Sequence, residues 1–336
     1  MVDRRALARR ALGWAAAVVL LVLLARVAQL RQTSPQFLLS LTVWGVMLGS
    51  IIALGGIGLS LVYGVLRFAN FAHGDLMTVG AYVVLALLPL LPRTPPLQPF
   101  SFGAEFLVAM AAGMVVTGLV AVLTDRLLYL PLRRRRSSPA ILAMAALGAA
   151  FFVRSLVYLA WGADFRFYYV GRPRPSLALP LGIRVRPDQF FILGLALVLV
   201  VVVYLLLEKT KMGKAMRATA DNPSLARVSG IDTERVIFWT WVLGGMLAGA
   251  GGIMLGLDAQ LRPEMGWYLL LPLFAAVILG SIGNPYGALV GGLVIGVVQQ
   301  VSTAFINPAY SAGMALLIMI LLLLVRPQGL FGRPGG

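Results

Sequence analysis

Arg67-Phe68-Ala69-Asn70-Phe71-Ala72-His73-Gly74-Asp75 sets polar and ionisable groups between two long apolar segments. Residues 33–66 before it and 76–92 after it carry no charge, so the cluster belongs inside or at the edge of a membrane. One ionisable side chain at the bilayer centre costs about 2.5–3.5 kcal/mol on insertion scales, and a compensating partner or role is therefore expected. The cluster also contains the chain's single histidine.

The surrounding composition agrees with a membrane setting. Of 336 residues, 60% are hydrophobic and 12% charged, with a mean hydropathy of +0.91, too apolar for a soluble globular domain. A spanning helix takes about 20 apolar residues, which predicts an all-α, polytopic integral membrane bundle with interrupted helices and about ten spans. Their expected limits are 11–30, 37–60, 75–92, 105–125, 139–160, 189–207, 236–257, 267–282, 286–305 and 309–325. The whole chain, 1–336, reads as a single permease-like domain: an extra N-terminal span within 1–30, retained rather than cleaved as a signal peptide, and a core at 31–330. The formal charge of +16 follows membrane topology rather than nucleic acid. With the N-terminus inside, Arg4, Arg5, Arg133 to Arg136, Lys209, Lys211, Lys214, Arg326 and Arg333 fall among the cytoplasmic basic residues, as the positive-inside rule requires. Both termini are then expected in the cytoplasm.

Two connecting stretches carry information. Residues 161–188, expected outside, hold Arg166, Arg172, Arg174, Arg184 and Arg186, and Ile183-Arg184-Val185-Arg186 alternates at the strand period. Such a basic patch suits either an acidic soluble partner or lipid headgroups. Residues 208–235, expected inside, spell a capped helix: Asn222 at the N-cap, Pro223 at the first helical position, helix to Ser229 and Gly230 at the C-terminal cap. Asp232 then caps the following span. A helix so tightly specified between two spans suits docking on another protein.

Catalytic chemistry is sparse. No cysteine is present, one histidine makes no metal cluster, and Gly213-Lys214 lacks the rest of a phosphate-binding loop. No metal or cofactor is expected. Arg154 lies inside a span, where it either snorkels to the headgroups or faces inward to line a path or pair with a carboxylate. Asp75 could cap the following span, and Trp161, Trp239, Trp241 and Trp267 near span ends read as interfacial anchors. Glycines spaced four apart, as in Gly45/Gly49, Gly245/Gly249 and Gly292/Gly296, suit close helix packing.

The stretch Gly58 to Asp75, followed by Gly80-Ala81-Tyr82, resembles the signature of the permease subunits of ABC importers for branched-chain amino acids. Arg217 through Gly230-Ile231 resembles that family's cytoplasmic coupling segment, and Gly280 to Ala288 its late glycine-rich turn. The resemblance implies a non-enzymatic transport subunit of the bacterial inner membrane. Its implied partners are a second permease subunit, cytoplasmic ATP-binding subunits, an extracytoplasmic solute-binding protein and membrane lipid. Tyr63, Asn70, Phe71, His73, Asp75 and Arg154 become expected neighbours of the substrate path. Arg217, Asp221, Asn222, Pro223, Leu225, Arg227 and Gly230 become the expected contact with the ATPase. The runner-up is a self-contained ion- or proton-coupled carrier.

Overall fold

The computed structural model describes residues 34–170, 176–178 and 182–332. The expected span at 11–30, both termini, and Arg172 and Arg174 of the basic patch lie outside the described residues. Among those described, eight helices are long and apolar enough to cross a membrane, and Met265–Gly280 is a shorter apolar helix. These nine match the nine expected spans from residue 37 onward.

The helices are α1 (Pro35–Leu66), α2 (His73–Leu87), α3 (Ala104–Thr124), α4 (Leu130–Arg134), α5 (Pro139–Trp161) and α6 (Pro187–Lys209). They continue with α7 (Lys211–Asp221), α8 (Pro223–Val228), α9 (Thr233–Asp258), α10 (Met265–Gly280), α11 (Pro285–Ser302) and α12 (Ser311–Val325). Local sequence explains several starts. The Ser34 and Asn284 side chains accept backbone N–H groups of the first turn, each followed by a proline whose missing donor is not needed there. A π-turn at Asp125–Tyr129 joins α3 to α4.

The centre of the bundle is α1, packed on α11, α9 and α10, with α9 also against α2 and α3. Glycine permits the closest of these crossings: a Cβ on Gly296 would lie 2.3 Å from Gly49 Cα, and one on Gly49 2.8 Å from Leu293 Cα. The two glycine pairs, Gly45/Gly49 and Gly292/Gly296, therefore interlock across one seam. At the periphery, only 22% of the most apolar 18-residue stretch of α5, 22% of that of α6 and 6% of the 308–325 span is buried within the chain. Their apolar outer faces, Met144, Phe152 and Leu159 among them, suit lipid or another membrane subunit.

Between α5 and α6 the chain forms a two-stranded antiparallel hairpin, β1 (Leu177–Ala178) against β2 (Arg184–Val185), with Leu177 opposite Val185. The strand alternation at 183–186 had this meaning. Tyr168, just before it, is buried, donates to the Ala81 carbonyl at 3.1 Å, and burial holds its phenol well above the usual range.

Candidate functional site

The signature stretch is where the chain turns back into the bundle. α1 ends at Leu66, and Arg67 caps it in the left-handed region (φ 58°), its N–H bonded to the Tyr63 carbonyl at 2.8 Å. Residues 68–72 then run without helical bonding until α2 begins at His73. His73 reaches Gly55, eleven residues up α1 from Leu66, so the start of α2 meets α1 about 16 Å inside its end at 1.5 Å per residue. Non-helical backbone at that depth is tolerable only where protein satisfies it.

Each polar member of the stretch has such a role. Asn70 is fully buried; its Oδ1 accepts from the Ala72 N–H at 3.1 Å and from the Tyr129 hydroxyl at 3.1 Å. The His73 N–H in turn donates to the Asn70 carbonyl at 3.2 Å. Tyr129 comes from the π-turn and stacks on Trp241 at 5.2 Å and 5°. Trp241 is thus 1% exposed and not an interfacial anchor: one turn from Ile237, its face of α9 points inward and its ring supports the break. Trp239, 39% exposed, faces outward as expected. His73 donates Nε2–H to the Gly55 carbonyl at 2.8 Å, a partner that can only accept, which fixes the Nε2–H tautomer. Its Nδ1 and the Asn70 Nδ2 are buried without a hydrogen-bond partner among the described residues.

Asp75 does not cap α2; the cap position is Ala72 and supplies no side-chain bond. The Asp75 carboxylate instead takes a bidentate grip from Arg154, Nε to Oδ1 at 2.9 Å and Nη2 to Oδ2 at 3.0 Å. Their side chains are 1% and 12% exposed. Arg154 therefore does not snorkel, because a buried carboxylate one helix away and the Trp267 ring, 4.5 Å beneath its guanidinium, hold it inward. Around the pair, α2 and α10 touch backbone to backbone at Gly74 and Gly266, and Thr78 Oγ1 accepts the Gly266 N–H at 3.1 Å. Phe71 packs on Phe274 at 5.3 Å. Tyr63 is half-buried in the last turn of α1. Asn70, His73 and Asp75 thus come together with Tyr129 and Arg154, all enclosed by protein.

The 208–235 segment forms as its caps dictate. Asn222 Oδ1 accepts from Ser224 N at 3.1 Å and Leu225 N at 3.0 Å. Gly230 at φ 82° closes α8 with paired bonds, Gly230 N to Arg227 O at 3.1 Å and Ile231 N to Ala226 O at 3.0 Å, the double closure that a left-handed residue permits. Asp232 Oδ1 then accepts Arg235 N at 3.1 Å. Two contacts tie the segment to the bundle. Arg217 pairs with Glu208, which also accepts from the Tyr286 hydroxyl at 2.8 Å; the Glu208 bond pushes the Arg217 guanidinium above its already high value. Arg67 donates to the Ala220 carbonyl in the last turn of α7. Leu225 and Val228 are left 63% and 87% exposed. Asp221, Pro223 and Arg227 share that exposed end.

Sequence reasoning missed Tyr129, Thr78, Glu208 and Tyr286, whose neighbours are 59 to 188 residues away in the chain for the first two. It also missed Asp258, at the far end of the bundle, where Arg186 and Gln189 both donate to Oδ1, the second at 3.0 Å. Among the described residues no group of three acidic or histidine side chains is placed to hold a metal.

Residues 41–323 match the family described as branched-chain amino acid transport system, permease component. The high-affinity branched-chain amino acid transport system permease protein LivH of Salmonella typhimurium is 30% identical over 298 residues, covering 86% of this chain and 94% of that protein. BraD of Pseudomonas aeruginosa, of the same description, is 29% identical with the same coverage. A probable LivH of Methanocaldococcus jannaschii is 31% identical over 85% of this chain and 90% of that protein.

Proposed function

Since the chain belongs to the family of branched-chain amino acid transport system permease components, we propose that it is the membrane-spanning half of an ABC importer for branched-chain amino acids. ATP is hydrolysed on separate cytoplasmic subunits, a second permease subunit completes the pathway, and an extracytoplasmic binding protein delivers the solute. The setting is a bacterial inner membrane with the coupling segment inside. The basic hairpin region at 161–188 receives the binding protein.

One observation carries the reading. α8 is six residues long, capped at both ends, and presents Leu225 and Val228 to the surroundings while Ala226 is buried. Exposed apolar side chains on a short, rigid, polar-flanked helix suit a partner's groove. The Asn70–Asp75 stretch acts behind the path, fixing α2 to α1, α5 and α10, with its half-buried Phe71 and, on α1, the half-buried Tyr63 on the approach.

The test is uptake of radiolabelled leucine into proteoliposomes carrying this chain with its partner subunits and loaded binding protein. ATP-driven uptake is expected from the full assembly and none from the chain alone. Leu225→Asp, which leaves the caps of α8 intact, should cut ATP-driven uptake at least tenfold, the cost of burying a carboxylate in an apolar contact being several kcal/mol. Uptake by the chain alone under an ion gradient would refute the proposal.

A further inference from the structure

The end of the bundle opposite the coupling segment holds a cavity of about 720 Å³, lined by Leu255, Asp258, Arg262, Tyr268, Leu269 and Gln299 among others. A second space of about 390 Å³ adjoins it, sharing Leu48, Arg186 and Asp258 with the first. Small-molecule sites have such volumes, with apolar walls and a few placed polar groups.

The polar groups here are of a particular kind. Arg262 lies over the Phe165 and Tyr268 rings, 5.5 Å from each centroid, and among the described residues its guanidinium has neither a carboxylate nor a hydrogen-bond acceptor. Its guanidinium is thus held near two aromatic faces, with its donors open to an anion. Asp258 uses only Oδ1 on Arg186 and Gln189, leaving Oδ2 available to a cation. Gln299 is 7% exposed, and its amide has no hydrogen bond among the described residues. Leu48, Leu255, Leu269, Met265 and Pro272 supply the apolar remainder.

We propose that this cavity is an entry site for a zwitterionic α-amino acid with an aliphatic side chain. The carboxylate meets Arg262, the ammonium meets Asp258 Oδ2, Gln299 takes the remaining polar edge, and the side chain lies on the leucines and Pro272. The proposal rests on the transport reading above and adds to it a place where the solute first touches this chain. An amino amide, which lacks the carboxylate, leaves Arg262 without its anion, and a fatty acid, which lacks the ammonium, leaves Asp258 Oδ2 without its donor, so both are disfavoured.

The complex with its partner subunits, in nanodiscs without binding protein, is titrated with L-leucine and followed by saturation-transfer NMR of the leucine methyls. Binding is expected for the wild type. Arg262→Gln should weaken it at least tenfold, one charge-assisted hydrogen bond being lost. Ala312→Trp, which fills the same cavity without touching a charge, should abolish it. Leucinamide and 4-methylpentanoate should each compete at least tenfold less well than leucine. Wild-type complex that transports leucine with its binding protein yet gives equal signals in both variants overturns the site alone. A complex that transports no leucine overturns the site and the transport reading together.

Discussion

Replacing Asp75 by asparagine keeps the shape of the site and removes one charge, so the cost measures what the Asp75–Arg154 pair does. Arg154 stays behind with its side chain 12% exposed and its guanidinium on Trp267, unable to reach water without leaving that ring. A buried charge deprived of its partner costs about 3–5 kcal/mol, roughly one hundredfold to a few thousandfold in the folded-to-unfolded ratio. The same figures predict that Asp75→Asn combined with Arg154→Met recovers most of the loss, because two desolvation penalties disappear with the attraction. Equilibrium unfolding of the purified chain in mixed micelles, followed by tryptophan fluorescence, gives the four corners of the cycle. Expected are a single variant at least 3 kcal/mol below wild type and a double variant within about 1–2 kcal/mol of it. A single variant within 1 kcal/mol of wild type, or a double variant no better than the single, would refute the buried-pair argument.

Gly296→Val should destabilise by about 1–3 kcal/mol or more through overpacking, since its Cβ would stand 2.3 Å from Gly49 backbone, whereas Gly313→Ala, whose Cβ meets nothing within 4 Å, should be neutral or slightly stabilising in the same unfolding assay. Asn222→Ala removes the acceptor of two N–H groups at the start of α8 and should cost about 1 kcal/mol locally, read as faster amide exchange at Ser224 and Leu225 with α9 unchanged. Arg67→Ala frees the last turn of α7 from the break; it should leave basal ATP hydrolysis by the assembled complex intact while lowering leucine moved per ATP severalfold, and Arg67→Lys should restore part of that ratio.

The spans were legible because the property that defines them, a run of apolar residues bounded by charge or proline, is local. All nine from 37 onward have counterparts within a few residues, and the caps of α8 could be read residue by residue from Asn222 to Gly230. The tertiary partners were not legible. Nothing near Asp75 in sequence announces Arg154, 79 residues away, so a cap and a snorkelling arginine were each plausible from local rules alone. Trp241 shows the same limit: tryptophan near a span end usually anchors at an interface, but here the π-turn at Asp125–Tyr129 brings a ring onto it. The hydrophobic pattern cannot signal this, because in a bilayer an apolar side chain facing lipid and one facing protein read alike.

The break in the helix and the 208–235 segment are bonded to one another rather than merely adjacent. Leu66 and His73 are the ends of two helices, and the link between them carries Arg67, whose guanidinium holds the last turn of α7, directly before the Asn222 cap of the exposed α8. At its other end the link delivers Asn70 to Tyr129 on the π-turn and His73 to the middle of α1. Under the importer reading proposed above, a force applied at Leu225 and Val228 would reach the interior through these short, directional bonds. The buried Asn70 Nδ2 and His73 Nδ1, without hydrogen-bond partners among the described residues, cost about 1–3 kcal/mol each in this arrangement. The stretch is thus a weakly satisfied, well-connected place in an otherwise tightly packed bundle.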